Sequence, residues 1–394
     1  MKAATPEIAS AQQNDLAGRS VIHFNTAGAG LMPAPVVGAM LDVLQQEATT
    51  GSYETARRFS EVLQREVYQN VGALIGATAK DVALFDSATR AWCTIVCRLP
   101  LQPGDRVWIT PYEYAGSIIS LLALGARVGF KLEVIPILPD GDIDLDWMAA
   151  NITDRVALVC VTHIPSGCGI VNPVSEIGAL LAAHRCLYAV DACQSVGQVP
   201  IDVSEIRCDL LTGAGRKFLR GPRGTGFAYV SPRLRAMLTP SYHDLHVATV
   251  TSSDTYLVED DSSRSLELAE HSLAAVVGLN AAVRYHFAAD HSAQRRVYQA
   301  LQAAVADIPR MQVIAPGSRH SGIVSFVHDR LPADRICHEL SQWGINTWLI
   351  QGSHTPLYLS ARGIDTAVRA SVHYYNSLEE VSLFANALRR IVSV

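Results

Sequence analysis

The sequence predicts an α/β protein of two domains: a large domain on a mostly parallel seven-stranded sheet, and a smaller C-terminal α/β domain. Three observations carry this expectation. Short apolar, β-rich runs alternate with longer stretches of helical periodicity from about residue 70 to 230, the pattern of strands buried on both faces by crossover helices. The alternation resumes after residue 290. A length of 394 residues also exceeds what one ordinary core fills.

Taken in order, residues 1–20 read as an N-terminal arm, and 21–264 as the large domain. Its predicted strands are Val82–Phe85, Arg106–Ile109, Leu132–Ile135, Ala157–Val161, Leu187–Val190, Leu210–Thr212 and Gly226–Val230. Each is a short, nearly continuous apolar run, as a strand covered on both faces requires. Between them lie segments such as Pro173–Ala183, whose apolar residues recur at helical spacing. Residues 265–289 read as one long linking helix. The small domain, 290–394, has predicted strands Ile323–Val327, Ile345–Leu349 and Val368–Tyr374, with helices at Ala333–Trp343 and Leu378–Ile391.

Composition narrows the function. A net charge of −5 argues against nucleic acid as the main ligand, because phosphate backbones need a basic face. The polar start offers no apolar signal core, and no run approaches a membrane span of roughly 18 apolar residues, so no membrane partner and a cytoplasmic location are expected. The eight cysteines are scattered through apolar runs without a Cys-x-x-Cys pair, and read as reduced, buried thiols. Cys93 and Cys97 share a helix face, but without histidine partners they are a poor zinc site; no metal is expected.

The chemistry concentrates around Lys217. It opens the turn Arg216-Lys217-Phe218-Leu219-Arg220-Gly221-Pro222-Arg223-Gly224, and Asp191 closes an earlier apolar run in Tyr188-Ala189-Val190-Asp191-Ala192-Cys193-Gln194. A lysine amine forms a Schiff base with the aldehyde of pyridoxal 5′-phosphate (PLP) and then carries protons. A carboxylate keeps the pyridine nitrogen protonated, so that the ring accepts electrons. Asp191 also falls at a strand's carboxyl end, where parallel sheets place their ligands.

With these residues in this order, the chain resembles the class V aminotransferase and cysteine desulfurase-like family of fold-type I PLP enzymes. The resemblance runs from His23-Phe24-Asn25-Thr26-Ala27-Gly28 to Arg369-Ala370-Ser371-Val372-His373-Tyr374-Tyr375-Asn376. It implies that Lys217 is the Schiff-base lysine, Asp191 the pyridine partner, and Gln194 a donor to the cofactor's phenolic oxygen. Ser87-Ala88-Thr89 matches the phosphate loop, with backbone N–H groups of a helix start and the Thr89 hydroxyl as donors. Tyr114 takes the place of the aromatic group that covers the cofactor face. Arg369 matches the arginine that binds the substrate carboxylate, with Ser166 and Asn25 beside it; the alternative for Arg369 is a structural pair with Asp365. The resemblance also implies a homodimer with each active site at the subunit interface, to which Arg264, Glu267, Glu270 or His271 would contribute unless they are salt-bridged on a helix surface.

Departures from the family pattern point to the reaction. Arg216 stands where the family has histidine, and Ala214 where it has a phosphate-binding serine, so Arg216 is expected to compensate on the phosphate. Ser166 stands where desulfurases have asparagine. Desulfurases also carry a loop cysteine that accepts sulfur, and Gln351-Gly352-Ser353-His354-Thr355-Pro356-Leu357 has none; Cys337 falls in a helical pattern. Cys168, between two glycines, reads as a small residue filling a tight turn. The motifs look most like the C–S lyase branch, such as hercynylcysteine sulfoxide lyases. The expected reaction is β-elimination from an S-substituted cysteine or its sulfoxide, giving pyruvate and ammonia. Transamination or epimerisation share the early steps, and desulfuration ranks below them. A non-catalytic binding protein would not need Lys217, Asp191 and Gln194 together. A dinucleotide enzyme is excluded because the glycine turn precedes a strand rather than a helix.

Overall fold

All seven strands expected of the large domain form one sheet. In the computed structural model, residues 21–238, 243–259 and 261–393 are described; the expected arm at 1–20 lies outside them. The strands are β1 (Val82–Phe85), β2 (Arg106–Ile109), β3 (Lys131–Val134), β4 (Val156–Thr162), β5 (Leu187–Asp191), β6 (Leu210–Ala214) and β7 (Gly226–Val230). Their spatial order is β1-β7-β6-β5-β4-β2-β3, and only β7 runs antiparallel to its neighbours. Alternate side chains enter two separate apolar layers: Val159, Val161, Tyr188 and Val190 on one face, Leu158, Cys160, Leu187 and Ala189 on the other. That two-sided burial is why these strands read as continuous apolar runs.

Three helices pack on this sheet close to the site: α1 (Ala88–Val96), α2 (Ala115–Val128) and α3 (Leu273–Ala288). The helix expected over 265–289 is therefore shorter. Ser272 caps α3 by accepting from the Ala275 N–H, and Ser263–Leu266 form a separate 3₁₀ turn. The cause is tertiary. Buried Glu267 accepts from the Tyr68 hydroxyl at 2.8 Å and the Leu84 N–H at 2.7 Å, so the chain is held extended there. His271 lies 3.7 Å from the same carboxylate, and the Arg264 guanidinium lies over Tyr68. Arg264, Glu267 and His271 thus meet around Tyr68 of their own chain.

The small domain holds an antiparallel four-stranded sheet of β8 (Met311–Ile314), β9 (Ile323–His328), β10 (Trp348–Gln351) and β11 (Thr366–Ser371), ordered β8-β9-β11-β10. The edge strand β8 was not anticipated. The run Ile345–Leu349 divides, because Ile345 and Asn346 pair in parallel with Ile22 and His23 while Trp348 onward joins β11. Phe24 enters the small-domain core beside Phe326 and Phe384. The Asn25–Ala29 turn is thereby pinned where the two domains meet. Among the described residues no helix is long and apolar enough to cross a membrane.

Candidate active site

The floor of the site follows from strand register. Thr162 and Asp191, at the carboxyl ends of β4 and β5, sit side by side with Thr212 of β6. All three line a cavity of about 800 Å³. One oxygen of Asp191 accepts from the Cys193 N–H at 2.9 Å, which fixes the carboxylate. Behind them lies Glu113, fully buried, accepting from Thr110 Oγ1 (2.7 Å), Thr162 N (2.9 Å) and Thr162 Oγ1 (2.6 Å). Burial pushes its carboxyl up to about 7; the Thr162 and Thr110 bonds pull it back, and the Asp191 charge adds to the rise.

Lys217 reaches this floor from the turn between β6 and β7. Antiparallel β7 brings Thr225 over Gly215, where a side chain would collide with the Thr225 hydroxyl at 2.1 Å. The turn closes through Gly221 N to Gly215 O (2.7 Å) and Arg220 N to Lys217 O (3.0 Å). His373 Nε2 donates to the Phe218 carbonyl at 2.6 Å, tying the lysine turn to the small domain. The Lys217 amine is held below the ordinary lysine value. Burial is the main cause, Arg216 and Arg369 add repulsion, and Cys193 and Asp191 oppose them. A lysine so placed is readily neutral and nucleophilic.

At the start of α1, Ser87 takes the cap, accepting from the Arg90 N–H at 3.2 Å. The Ser87 side chain, not that of Thr89, thus caps the helix. The Thr89 hydroxyl, exposed at the cavity, has no hydrogen bond among the described residues. Ala88 and Thr89 are the first two helical residues, whose N–H groups have no intrahelical acceptor. Gly226 makes the close approach possible, since a Cβ there would lie 2.4 Å from Ala88 N. Tyr114 stands at the N-cap of α2, 43% exposed, its ring 6.0 Å from that of His354. Gln194 donates to the Ala27 carbonyl at 3.1 Å, and its buried Oε1 is without a partner.

The opposite wall belongs to the small domain. Arg369, on β11, is 5% exposed; it donates to Asn25 Oδ1 at 3.2 Å and to the Ser166 carbonyl at 3.4 Å. Ser166 thus meets it through its backbone oxygen. The Arg369 Nε is buried without a partner, and no acid pairs with the residue among the described residues. Asp365 instead binds the Gly352 N–H through its carbonyl, at 2.7 Å. Arg216 Nη1 donates to the Gly28 carbonyl, on the same turn as Asn25. All the cofactor and substrate candidates named from the sequence therefore meet at one cavity. The same cavity is lined by Thr162, Cys193, Arg223, Trp348 and His354, which sequence reasoning gave no role. Cys193 stood in the quoted Asp191–Gln194 stretch; Thr162 and Glu113 left no sequence signal. Cys168 is buried in the core, with its thiol pushed up to about 12 by burial.

These residues fit PLP: free donors at a helix start for a phosphate, an orphaned glutamine oxygen, a fixed carboxylate, and a buried lysine held below its ordinary pKa. Comparison with known proteins agrees. Among curated relatives, a probable cysteine desulfurase of Methanothermobacter thermautotrophicus is 27% identical, over 95% of this chain and 96% of that protein. Another from Halobacterium salinarum is 28% identical, over 94% and 91%. Among solved structures, cysteine desulfurase CsdA of Escherichia coli superposes with a TM-score of 0.89 at 20% identity, covering 98% of each chain. The cystine C–S lyase C-DES, in complex with its product cysteine persulfide, gives 0.84 at 21%, covering 94% of this chain and 97% of that one. The model of the class-V aminotransferases matches residues 22–384, and the chain belongs to that family of PLP-dependent enzymes.

Proposed function

We propose that this enzyme is a C–S lyase that performs β-elimination on an S-substituted cysteine or cysteine sulfoxide, releasing pyruvate and ammonia. The observation that carries the reading is the composition of the cavity mouth. Gln351, His354 and Thr355 line it from the 351–357 segment, where a desulfurase needs its sulfur-accepting thiol. Cys193, the thiol that does line the cavity, is a poor nucleophile: burial, then Asp191, raise it well above the ordinary thiol value. Cys337 is also raised, first by burial, and bonds Thr347 at 3.7 Å within the small domain.

In this reading the residues divide the work. Ala88 and Thr89 hold the phosphate, Tyr114 covers the ring face, and Gln194 orients the phenolic oxygen. Bound PLP supplies an electron sink for the α-carbon, and Asp191 maintains the charge on which that sink depends. Arg369, with Asn25 and Ser166 fixing its fork, binds the substrate α-carboxylate in two bonds and so aims the Cα–H bond. The Lys217 amine takes that proton. The protein acts as a cytoplasmic homodimer on a small amino acid; the eight free thiols suit a reducing compartment. Exposed Leu41, Leu44, Ile119 and Leu122 offer apolar surface for a second copy.

Desulfuration is the second reading, favoured by the names of the relatives. One experiment separates the two: purified holoenzyme is incubated with S-substituted cysteines, their sulfoxides and cysteine itself. Pyruvate without protein-bound persulfide is expected. A trappable persulfide on the protein, with alanine as product, would establish desulfuration instead.

A further inference from the structure

Arg216 lines the cavity beside Lys217. Both ends of the residue are tied to the Asn25–Ala29 turn and its neighbour: its carbonyl accepts from the Gly30 N–H at 2.8 Å, and its Nη1 donates to the Gly28 carbonyl. Asn25, three residues before Gly28, accepts from Arg369. One short turn therefore presents two guanidinium groups to the same cavity. Neither has an ion-pair partner among the described residues. Asp191 is held by the Cys193 N–H beside Lys217. The two arginines also oppose each other: burial, then the charge of Arg216, lowers the Arg369 guanidinium to about 10. Arg216 itself is lowered, by burial and then by Arg223.

A single α-carboxylate fills one guanidinium fork with its two oxygens. It leaves the second half-buried cation uncompensated, an arrangement that costs free energy unless another anion arrives. The cofactor phosphate would compete for it, but the start of α1 has its own donors for that phosphate in the Ala88 and Thr89 N–H groups and the Thr89 hydroxyl. We propose that Arg216 is a specificity residue that binds an acidic group on the substrate side chain, so that the preferred substrates are amino acids with two acidic groups. Combined with the proposed C–S lyase reaction, on which this part rests, the class is a cysteine S-conjugate whose S-substituent carries a carboxylate. Arg216 then departs from the phosphate role expected of it.

The test uses an isosteric pair, S-carboxymethylcysteine and S-carbamoylmethylcysteine, with pyruvate formation as one readout. The second is quenching of protein fluorescence by glutarate and by butyrate, since Trp348 lines the cavity. Wild-type holoenzyme should favour the acid over the amide by about 10- to 100-fold in kcat/KM, the worth of one charged hydrogen-bonded contact. Arg216→Met should bring that ratio near one while PLP affinity, measured by titration of the visible band, stays unchanged. Arg216→Lys should keep part of the preference. Equal turnover of acid and amide by wild type overturns the proposal without any variant. So does an Arg216→Met enzyme that loses PLP affinity and slows equally on both compounds, which would make Arg216 a phosphate ligand. Absence of pyruvate from every conjugate, with glutarate still binding tighter than butyrate in an Arg216-dependent way, would remove the lyase reading and leave the second anchor standing.

Discussion

Glu113 is a fully buried acid, and burial disfavours its charged form. Its carboxyl is raised from the ordinary 4.5 to about 7, chiefly by burial. The unfolded chain therefore releases this proton first as pH rises. Glu113's contribution to stability is complete below pH 4.5 and is lost as pH climbs through about 7, by up to about 3 kcal/mol. His163 and His286, each lowered to about 4 chiefly by burial, slope the other way over an overlapping window. Subtracting the urea-unfolding curves of Glu113→Gln from those of wild type isolates the acid: the difference should grow in the variant's favour between pH 5 and 8. A difference that is flat with pH would mean that Glu113 stays ionised throughout. For Lys217→Ala, the expected outcome is a folded protein without the visible band, near about 420 nm, of lysine-bound PLP; a band that survives dialysis would place the attachment at another lysine. Lys217 and Asp191 were legible because each borders a run of adjacent residues with a plain signature. Glu113 and Thr162 were not, because their roles exist only through bonds between residues 49 positions apart.

At the scale of elements, the start of α1 depends on β7. A methyl group at Gly226 would stand 2.4 Å from both Ala88 N and Ser87 C, against backbone that has no side chain to swing aside. Gly226→Ala should displace the helix start, costing about 1–3 kcal/mol of stability and at least about tenfold in PLP affinity, the worth of one lost charged hydrogen bond. Titration with PLP followed by thermal unfolding of the apoenzyme separates the two effects. An unchanged affinity would place the phosphate elsewhere. The seven large-domain strands were readable because both faces are buried and the apolar runs admit few other interpretations. The length of α3 was not, since Ser265, Leu266 and Leu268 continue a plausible helical pattern while Glu267 is drawn away by Tyr68 and Leu84. Strand β8 is short and half-exposed at a sheet edge, which leaves its periodicity weak.

For the whole molecule, Arg369 brings a guanidinium group from the small domain into the cavity floored by the large-domain sheet. Lysine in its place keeps the charge but loses the planar fork. Arg369→Lys should weaken transition-state binding by about 2–4 kcal/mol, read as kcat/KM on the best substrate, and leave the visible band of bound PLP unchanged. If kcat/KM holds and thermal stability falls, the arginine is structural. Resemblance alone picked out Arg369 and Asn25 as neighbours; no local pattern brings them together across the chain.

The pairing of the Asn25–Ala29 turn with the far end of the chain also sets an order of events in the cell. Ala27 N–H bonds Ser371 Oγ, and the Thr26 hydroxyl bonds that of Tyr375, at sequence separations of 344 and 349 residues. A ribosome adding 5–20 residues per second emits these partners roughly 20–70 s apart. Once Val230 has emerged the large-domain sheet has all its strands, yet the Asn25–Ala29 turn still lacks its bonds to Ser371 and Tyr375. The cavity wall that carries Arg369 is therefore in place only after residue 375 has left the ribosome.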